Sequence, residues 1–251
     1  MVFPLYDDNT DRHLTPLVNY AIIALNIFVF IFLQNSIPTF TYAFSTVPLE
    51  ILTGRDVVTA GREVIYMGQE VTIPGLAPTP GSVYLTLFTS MFMHGGWAHL
   101  GGNMLFLWIF GDNLEDRLGH LRYLVFYLLC GVIASLAHVF TTYAFATEQA
   151  SLLVPSLGAS GAISGVLGGY ILLHPSRRVG VILFNVITRV PAWVAIGMWF
   201  VFQLISGLGM LGGGSQQGGV AYAAHIGGFI AGLVLIKFFD IGRGRVRSTP
   251  Y

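Results

Sequence analysis

Six blocks of mostly apolar residues, at about 16–35, 97–111, 120–146, 157–174, 191–208 and 220–239, dominate the chain. A helix crossing about 30 Å of hydrocarbon needs roughly 17 to 25 apolar residues, so each block reads as a transmembrane helix. The second and fourth are short, which suits helices shielded by protein. Between the first two lies the least membrane-like stretch, residues 36–96, with Pro38, Pro48, Pro74, Pro78 and Pro80. Its middle, residues 57–73, alternates apolar and polar positions around Gly61 and Gly68, which predicts a short extracytoplasmic hairpin. Residues 83–93 are apolar but too short to span, and are expected to lie in the membrane interface. The pattern predicts an all-α membrane protein, a six-transmembrane-helix bundle with a long extracytoplasmic first loop. Its parts are a short N-terminal segment, 1–15, a membrane domain, 16–239, with the outer loop at 36–96, and a basic tail, 240–251.

Composition sharpens this picture. Hydrophobic residues make up 54% and charged residues only 10%, against about a quarter charged in a soluble domain. A net charge of zero leaves no basic surplus for a nucleic-acid backbone, so nucleic acid is not an expected partner. The single cysteine, Cys130, rules out an internal disulfide and a Cys-based metal site. Asp7, Asp8 and Asp11 against Arg12 give the first residues the wrong sign for a cleaved secretory signal, so the first span is expected to remain as an anchor.

Lys and Arg in short loops mark the cytoplasmic side. With both termini inside, that side collects Arg12, Arg117, Arg122, Arg177, Arg178, Arg189, Lys237, Arg243, Arg245 and Arg247, leaving Arg55 and Arg62 outside. The ten-to-two split predicts a multi-pass protein with cytoplasmic termini, expected in a prokaryotic plasma membrane with the lipid bilayer as its surroundings.

Polar side chains at membrane depth cost several kcal/mol unless paired or wet, so each is a functional candidate. They are Asn26 in the first span, His99 and Asn103 in the second, His138 in the third, Ser160 and Ser164 in the fourth, Gln203 in the fifth and His225 in the sixth. In this orientation the second, fourth and sixth spans all enter from outside. His99, Asn103, Ser160 and His225 then share a shallow level, with Ser160 and His225 about one to one and a half turns, roughly 5–8 Å, below the outer ends. Two rows on the fourth span, Ser160-Ser164-Gly168 and Gly161-Gly165-Gly169, and one on the sixth, Ala224-Gly228-Gly232, are small, which lets membrane helices pack backbone to backbone. A serine beside one such face and a histidine beside the other can reach hydrogen-bond distance, as a nucleophile and its base require.

His225 fits the base and Ser160 the nucleophile. Every Asp and Glu falls outside the spans or at their ends, so a Ser-His dyad without a carboxylate is expected. His99, Asn103 and the Ser160 N–H are the available oxyanion donors. Neither a cofactor nor a metal is expected, since His94 and His99, five apart, do not share a helix face. Gly158-Ala159-Ser160-Gly161-Ala162 departs from the soluble nucleophile elbow, G-x-S-x-G. His13, His120 and His174 read as solvated or capping residues near cytoplasmic ends, and His138 has no assigned role. Residues 111–117 read as a helix end and loop, with Glu115 and Arg117 tying the second and third helices together.

These residues resemble the rhomboid family of intramembrane serine proteases over about residues 89–232. The likeness rests on His99-Leu100-Gly101-Gly102-Asn103, Glu115-Asp116-Arg117-Leu118-Gly119, Gly158-Ala159-Ser160-Gly161 and Ala224-His225-Ile226-Gly227-Gly228. It implies Ser160 as the acylated nucleophile, His225 as its base, and His99 with Asn103 as oxyanion neighbours. It also implies a six-helix core with a cavity opening outward, and transmembrane protein substrates cleaved near their outer ends. Two departures stand out: Ser164 replaces the Tyr that many relatives carry one turn after the nucleophile, and Leu85-Thr86 stands in place of their Trp-Arg.

Two other functions fit less well. A catalytically silent rhomboid-like protein that binds membrane clients has no need of both Ser160 and His225. A transporter with His225 as proton carrier is expected to carry paired broken helices or an inverted repeat, and none is evident. The fifth span, with Trp193, Trp199, Phe200 and Phe202, and the Gly-rich stretch 207–219 after it are candidates for a lateral gate.

Overall fold

The computed structural model describes residues 3–66, 69–145, 148–183, 186–211 and 221–242. The chain is mostly helical. Among the described residues, three helices are long and apolar enough to cross a membrane alone: α1, Leu17–Phe28 extended by a π-helical turn over Val29–Gln34; α7, His120–Phe145; and α10, Tyr222–Phe239. The other apolar blocks form α5, Trp97–Phe106, running through a π turn at Leu107–Gly111 into α6, Asp112–Leu118; α8, Ser160–Leu173; and α9, Ala192–Leu211.

Residues 36–96 carry their own small elements. These are α2 (Phe40–Phe44), α3 (Pro48–Thr53), the expected hairpin β2 (Arg62–Tyr66) and β3 (Gln69–Ile73), and α4 (Thr86–Thr89) between two 3-10 turns. Gly68 lies outside the described residues. The loop is tied to the segment before α8 by an antiparallel bridge between Thr46 and Ser156.

Sequence punctuation sets several helix ends. Gly119, at φ +76°, breaks α6 from α7, and Pro175 follows the last turn of α8, which cannot continue into a proline. α8 is the central helix, with ten consecutive residues from Gly161 to Tyr170 buried. Its small face meets α10 as the glycine rows predict. A side chain on Gly228 would strike the Gly161 carbonyl, one on Gly232 the Gly165 carbonyl, and one on Gly168 the Phe229 carbonyl. On the far side Tyr123, Phe126 and Tyr127 of α7 are fully buried with Phe110, Leu114, Leu167 and Tyr170.

The all-α expectation needs correction, because a three-stranded antiparallel sheet, unforeseen from the sequence, packs against α9 and the π turn at Leu107–Gly111. β1, Phe3–Asp7, pairs with β4, Arg178–Leu183, which pairs in turn with β5, Val186–Pro191. The N-terminal segment is therefore part of the folded body. Residues 111–117 also differ from the expected loop: they are helical, with Asp112, Asn113 and Glu115 buried. Each finds a distant partner. Arg12 pairs with Asp112 at 2.5 Å, Asn113 donates to Asp7 at 2.7 Å, and Glu115 accepts the first N–H groups of α1 from Val18 (2.9 Å) and Asn19 (2.6 Å). Glu115 thus caps the first helix and also meets His120 at 2.5 Å, while Arg117 grips Asp240 at the end of α10 at 2.6 Å. The Glu115–His120 contact joins α6 to α7, the tie expected from the sequence, whereas Arg117 reaches the end of α10. His174, expected to be solvated or capping, is the C-cap residue of α8 and is buried beside Tyr170.

Candidate active site

Four residues set the position of Ser160. Gly158 donates its N–H to the Ser90 carbonyl at 2.9 Å and takes φ +126°, a backbone conformation that side chains disfavour. A Cβ there would also come within 2.8 Å of His99 Cε1. Ala159 caps the helix and Ser160 opens it. Ser160 thus sits at the first residue of α8, where the sequence had placed it about one turn inside, because the chain cannot be helical through Gly158. In this first turn the Ser160 N–H has no acceptor within the helix, and the helix dipole favours negative charge there.

The Ser160 hydroxyl lies 2.8 Å from His225 Nε2. The two residues, on α8 and α10, meet because the small faces below them let the backbones close together. The other imidazole nitrogen, Nδ1, lies 2.8 Å from Gln203 Oε1 on α9. No acidic side chain among the described residues hydrogen-bonds to His225. Trp199, one turn before Gln203, places its ring 6.1 Å from that of His225, and Tyr222 packs edge-on at 6.4 Å. Ser164 turns back along its own helix and donates to the Ser160 carbonyl at 2.6 Å, so the ring packing on His225 comes from α9 and Tyr222.

His99 and Asn103 are four apart and share one face of α5. His99 Nδ1 accepts the Gly95 N–H at 3.2 Å, which leaves Nε2 as the protonated nitrogen and a donor. That edge of the ring lies against Gly158, two residues before the serine. Asn103, buried one turn deeper, has an amide nitrogen with no hydrogen-bond partner among the described residues. An orphaned buried donor of this kind is costly unless a ligand or water meets it.

His94 packs edge-on against His99 at 5.1 Å, and its backbone is clasped by the side-chain amide of Gln34 at 2.9 and 3.1 Å. Burial, with His99 beside it, pushes the His94 imidazole down to about 3, so it stays neutral at ordinary pH. It supports His99 sterically. Behind Ser160, a cavity of about 20 Å³ is lined by Ser90, Ser135, Ser156 and Gly158, room for about one water.

The arrangement brings together Ser160 and His225 directly and sets His99 against the turn that presents the serine. Gln203 is the group whose position the sequence did not reveal. It stood out as a polar residue in an apolar span, but nothing along the chain paired it with His225.

A rhomboid-domain family model matches residues 81–240. Over 150 residues the chain is 33% identical to Rhomboid protein 1, mitochondrial, of Saccharomyces cerevisiae, covering 60% of this chain and 40% of that protein. It is 31% identical over 205 residues to Rhomboid protease GluP of Bacillus subtilis (79% and 34%). It is 33% identical over 159 residues to Presenilin-associated rhomboid-like protein A, mitochondrial, of Danio rerio (61% and 37%). The chain therefore spans 40% or less of the length of these relatives. Two of the three names are mitochondrial, so the relatives do not support the prokaryotic plasma membrane suggested by the sequence. With a rhomboid domain over most of its length and long apolar helices, the chain is an integral membrane protein and belongs to the rhomboid family.

Proposed function

We propose that this chain is an intramembrane serine endopeptidase that hydrolyses peptide bonds in or near the transmembrane segments of membrane-protein substrates. The observation that carries the reading is the 2.8 Å contact between Ser160 Oγ and His225 Nε2, within reach for a base that takes the serine proton during attack. His225 accepts that proton, Ser160 Oγ adds to the scissile carbonyl, and the proton passes to the leaving amine as the acyl-enzyme forms. Water then hydrolyses the ester by the reverse sequence of proton transfers. The Ser160 N–H, His99 Nε2–H and the unpartnered Asn103 amide are the donors for the oxyanion.

The same proposal takes α1, α5, α7, α8, α9 and α10 as six membrane helices, with the site near the side of the loop at 36–96. Its support is the clustering of Arg12, Arg117, Arg122 and Arg177 in hydrogen bonds on the opposite side. Under the positive-inside rule that side is the cytoplasmic or equivalent one. The basic tail proposed at 240–251 falls outside the described residues from position 243 onward.

The test uses purified protein, a fluorophosphonate probe and a single-pass substrate, with Ser160→Ala and His225→Ala as controls. Probe labelling and cleavage in the wild type that vanish in both variants, with folding intact, are the expected result. Undiminished cleavage by Ser160→Ala would overturn the nucleophile. A folded wild type that neither labels nor cleaves would point to a client-binding protein instead.

A further inference from the structure

We infer that Gln203 is the positioning residue of the catalytic base, a third member of the site that takes the place of a carboxylate. This rests on the hydrolase reading above and deepens it.

A neutral imidazole carries one proton, and only the nitrogen without it can accept the serine proton. For His225 to be a base toward Ser160, the proton must sit on Nδ1, and Nδ1–H needs a buried acceptor. Gln203 Oε1 stands 2.8 Å away, on a side chain only 6% exposed. An acceptor there selects the tautomer whose Nε2 lone pair faces Ser160 Oγ. It also fixes the ring's rotation, because the imidazole is held at both nitrogens, 2.8 Å on each side.

The chemistry of the membrane explains an amide in this role. A carboxylate at this level would need several kcal/mol of compensation for its lost hydration, whereas a neutral amide offers an acceptor without a charge. It stabilises the imidazolium less than a carboxylate, but its dipole is aimed and already desolvated, so it reorganises little during proton transfer. Gln203 and Trp199 are one turn apart on the same face of α9. One element therefore covers the ring of His225 and holds its far nitrogen. The competence of the base depends on α9 being seated against α10.

The orientation of the amide makes the idea sharply testable. With Oε1 toward His225 the imidazole is an Nδ1–H tautomer; with the amide NH₂ in that place it would be the Nε2–H tautomer, which has no lone pair for Ser160. Nitrogen-15 NMR of histidine-labelled wild-type protein, with the His225 resonance identified by its loss in His225→Ala, reads the tautomer directly. A dominant Nδ1–H form is expected, and a dominant Nε2–H form overturns the inference without any variant.

Kinetics supply the second arm, using a fluorogenic peptide with one transmembrane segment. Gln203→Met keeps the length of the side chain and removes the acceptor. It should lower kcat by ~10- to 100-fold with little change in KM, the mark of lost transition-state organisation, and should mix the two tautomers. Gln203→Glu presents a carbonyl oxygen in either protonation state and should stay within about tenfold of wild type. An unchanged kcat in Gln203→Met, or equal losses in both variants with the tautomer intact, would overturn the assignment. Failure of the hydrolase reading appears separately, as equal turnover by wild type and Ser160→Ala, and removes the ground of this inference as well.

Discussion

Gly158 joins the backbone and the chemistry at a single residue. Its φ of +126° aims the chain into α8 at Ser160, and its missing side chain leaves room for the His99 ring. In Gly158→Ala the new Cβ would lie 2.8 Å from His99 Cε1 and 3.7 Å from Ser160 Oγ. The strained backbone costs about 1–3 kcal/mol, and that strain falls where alignment matters most. Fluorophosphonate labelling should drop by about tenfold or more, since small misplacements of reacting groups cost that much, while a thermal melt in detergent still shows a folded protein. Labelling at the wild-type rate would mean that the turn before Ser160 tolerates a side chain and that His99 is not held there. The residue scale is also where sequence reading went furthest. Ser160, His225, His99 and Asn103 were all recognisable as polar groups where they are expensive. Gln203 was recognisable only as a candidate, because a hydrogen bond between residues 22 positions apart on different helices leaves no periodic trace.

At the level of elements, the junction of α8 with α10 makes the site possible. Gly228 and Gly232 lie against the carbonyls of Gly161 and Gly165, so the two backbones approach without intervening side chains. Gly232→Leu, about two turns below His225, should push the helices apart. The outcome expected is a lowered melting temperature and loss of probe labelling together, although the substitution touches neither Ser160 nor His225. Retained labelling in a protein destabilised by about 1–3 kcal/mol, the usual cost of overpacking, would show that the dyad does not depend on this contact. Small-residue rows were legible because their period is that of the helix itself. The start of α8 was not, since apolarity extends back to Leu157 and only the backbone at Gly158 ends it. For α9, Trp193 and Phe202 are exposed whereas Trp199 and Phe200 pack inward against Phe229. Most of the Gly-rich stretch expected after it, residues 212–219, lies outside the described residues.

For the molecule as a whole, the end that carries the three-stranded sheet is bound together by the N-terminal segment. Strand β1 completes the sheet with β4, and Asp7 at its end is buried beneath Tyr170, whose hydroxyl donates to it at 2.6 Å, and Asn113. Arg177 and Asp112 also act on this carboxyl, in opposite senses. Burial prevails and pushes Asp7 up to about 7. The folded state thus keeps a proton that the unfolded chain releases near pH 4. Stability from this group is full below about pH 4 and is lost as pH rises toward about 7, by up to about 4 kcal/mol at roughly 1.4 kcal/mol per pH unit. Asp7→Asn removes that loss, so its melting temperature relative to wild type should rise between pH 5 and pH 8. A constant difference across that range would show that Asp7 does not titrate in the folded protein.

The sequence by itself determined the apolar blocks, their helical nature, the small faces and the polar residues set into them, because hydrocarbon penalises polar groups position by position along a single helix. It also determined the hairpin of β2 and β3, whose alternation is local. Tertiary structure decided what depends on partners remote in the chain. The three-stranded sheet joins residues 3–7 to residues 179–182 through short strands with little alternation of their own. The buried Asp112, Asn113 and Glu115 looked like a helix end and loop because their partners, Arg12, Asp7 and the start of α1, lie about 100 residues earlier. The hold of Gln203 on His225 likewise exists only once α9 packs against α10, because an amide oxygen declares its hydrogen bond through position and not through its place in the sequence.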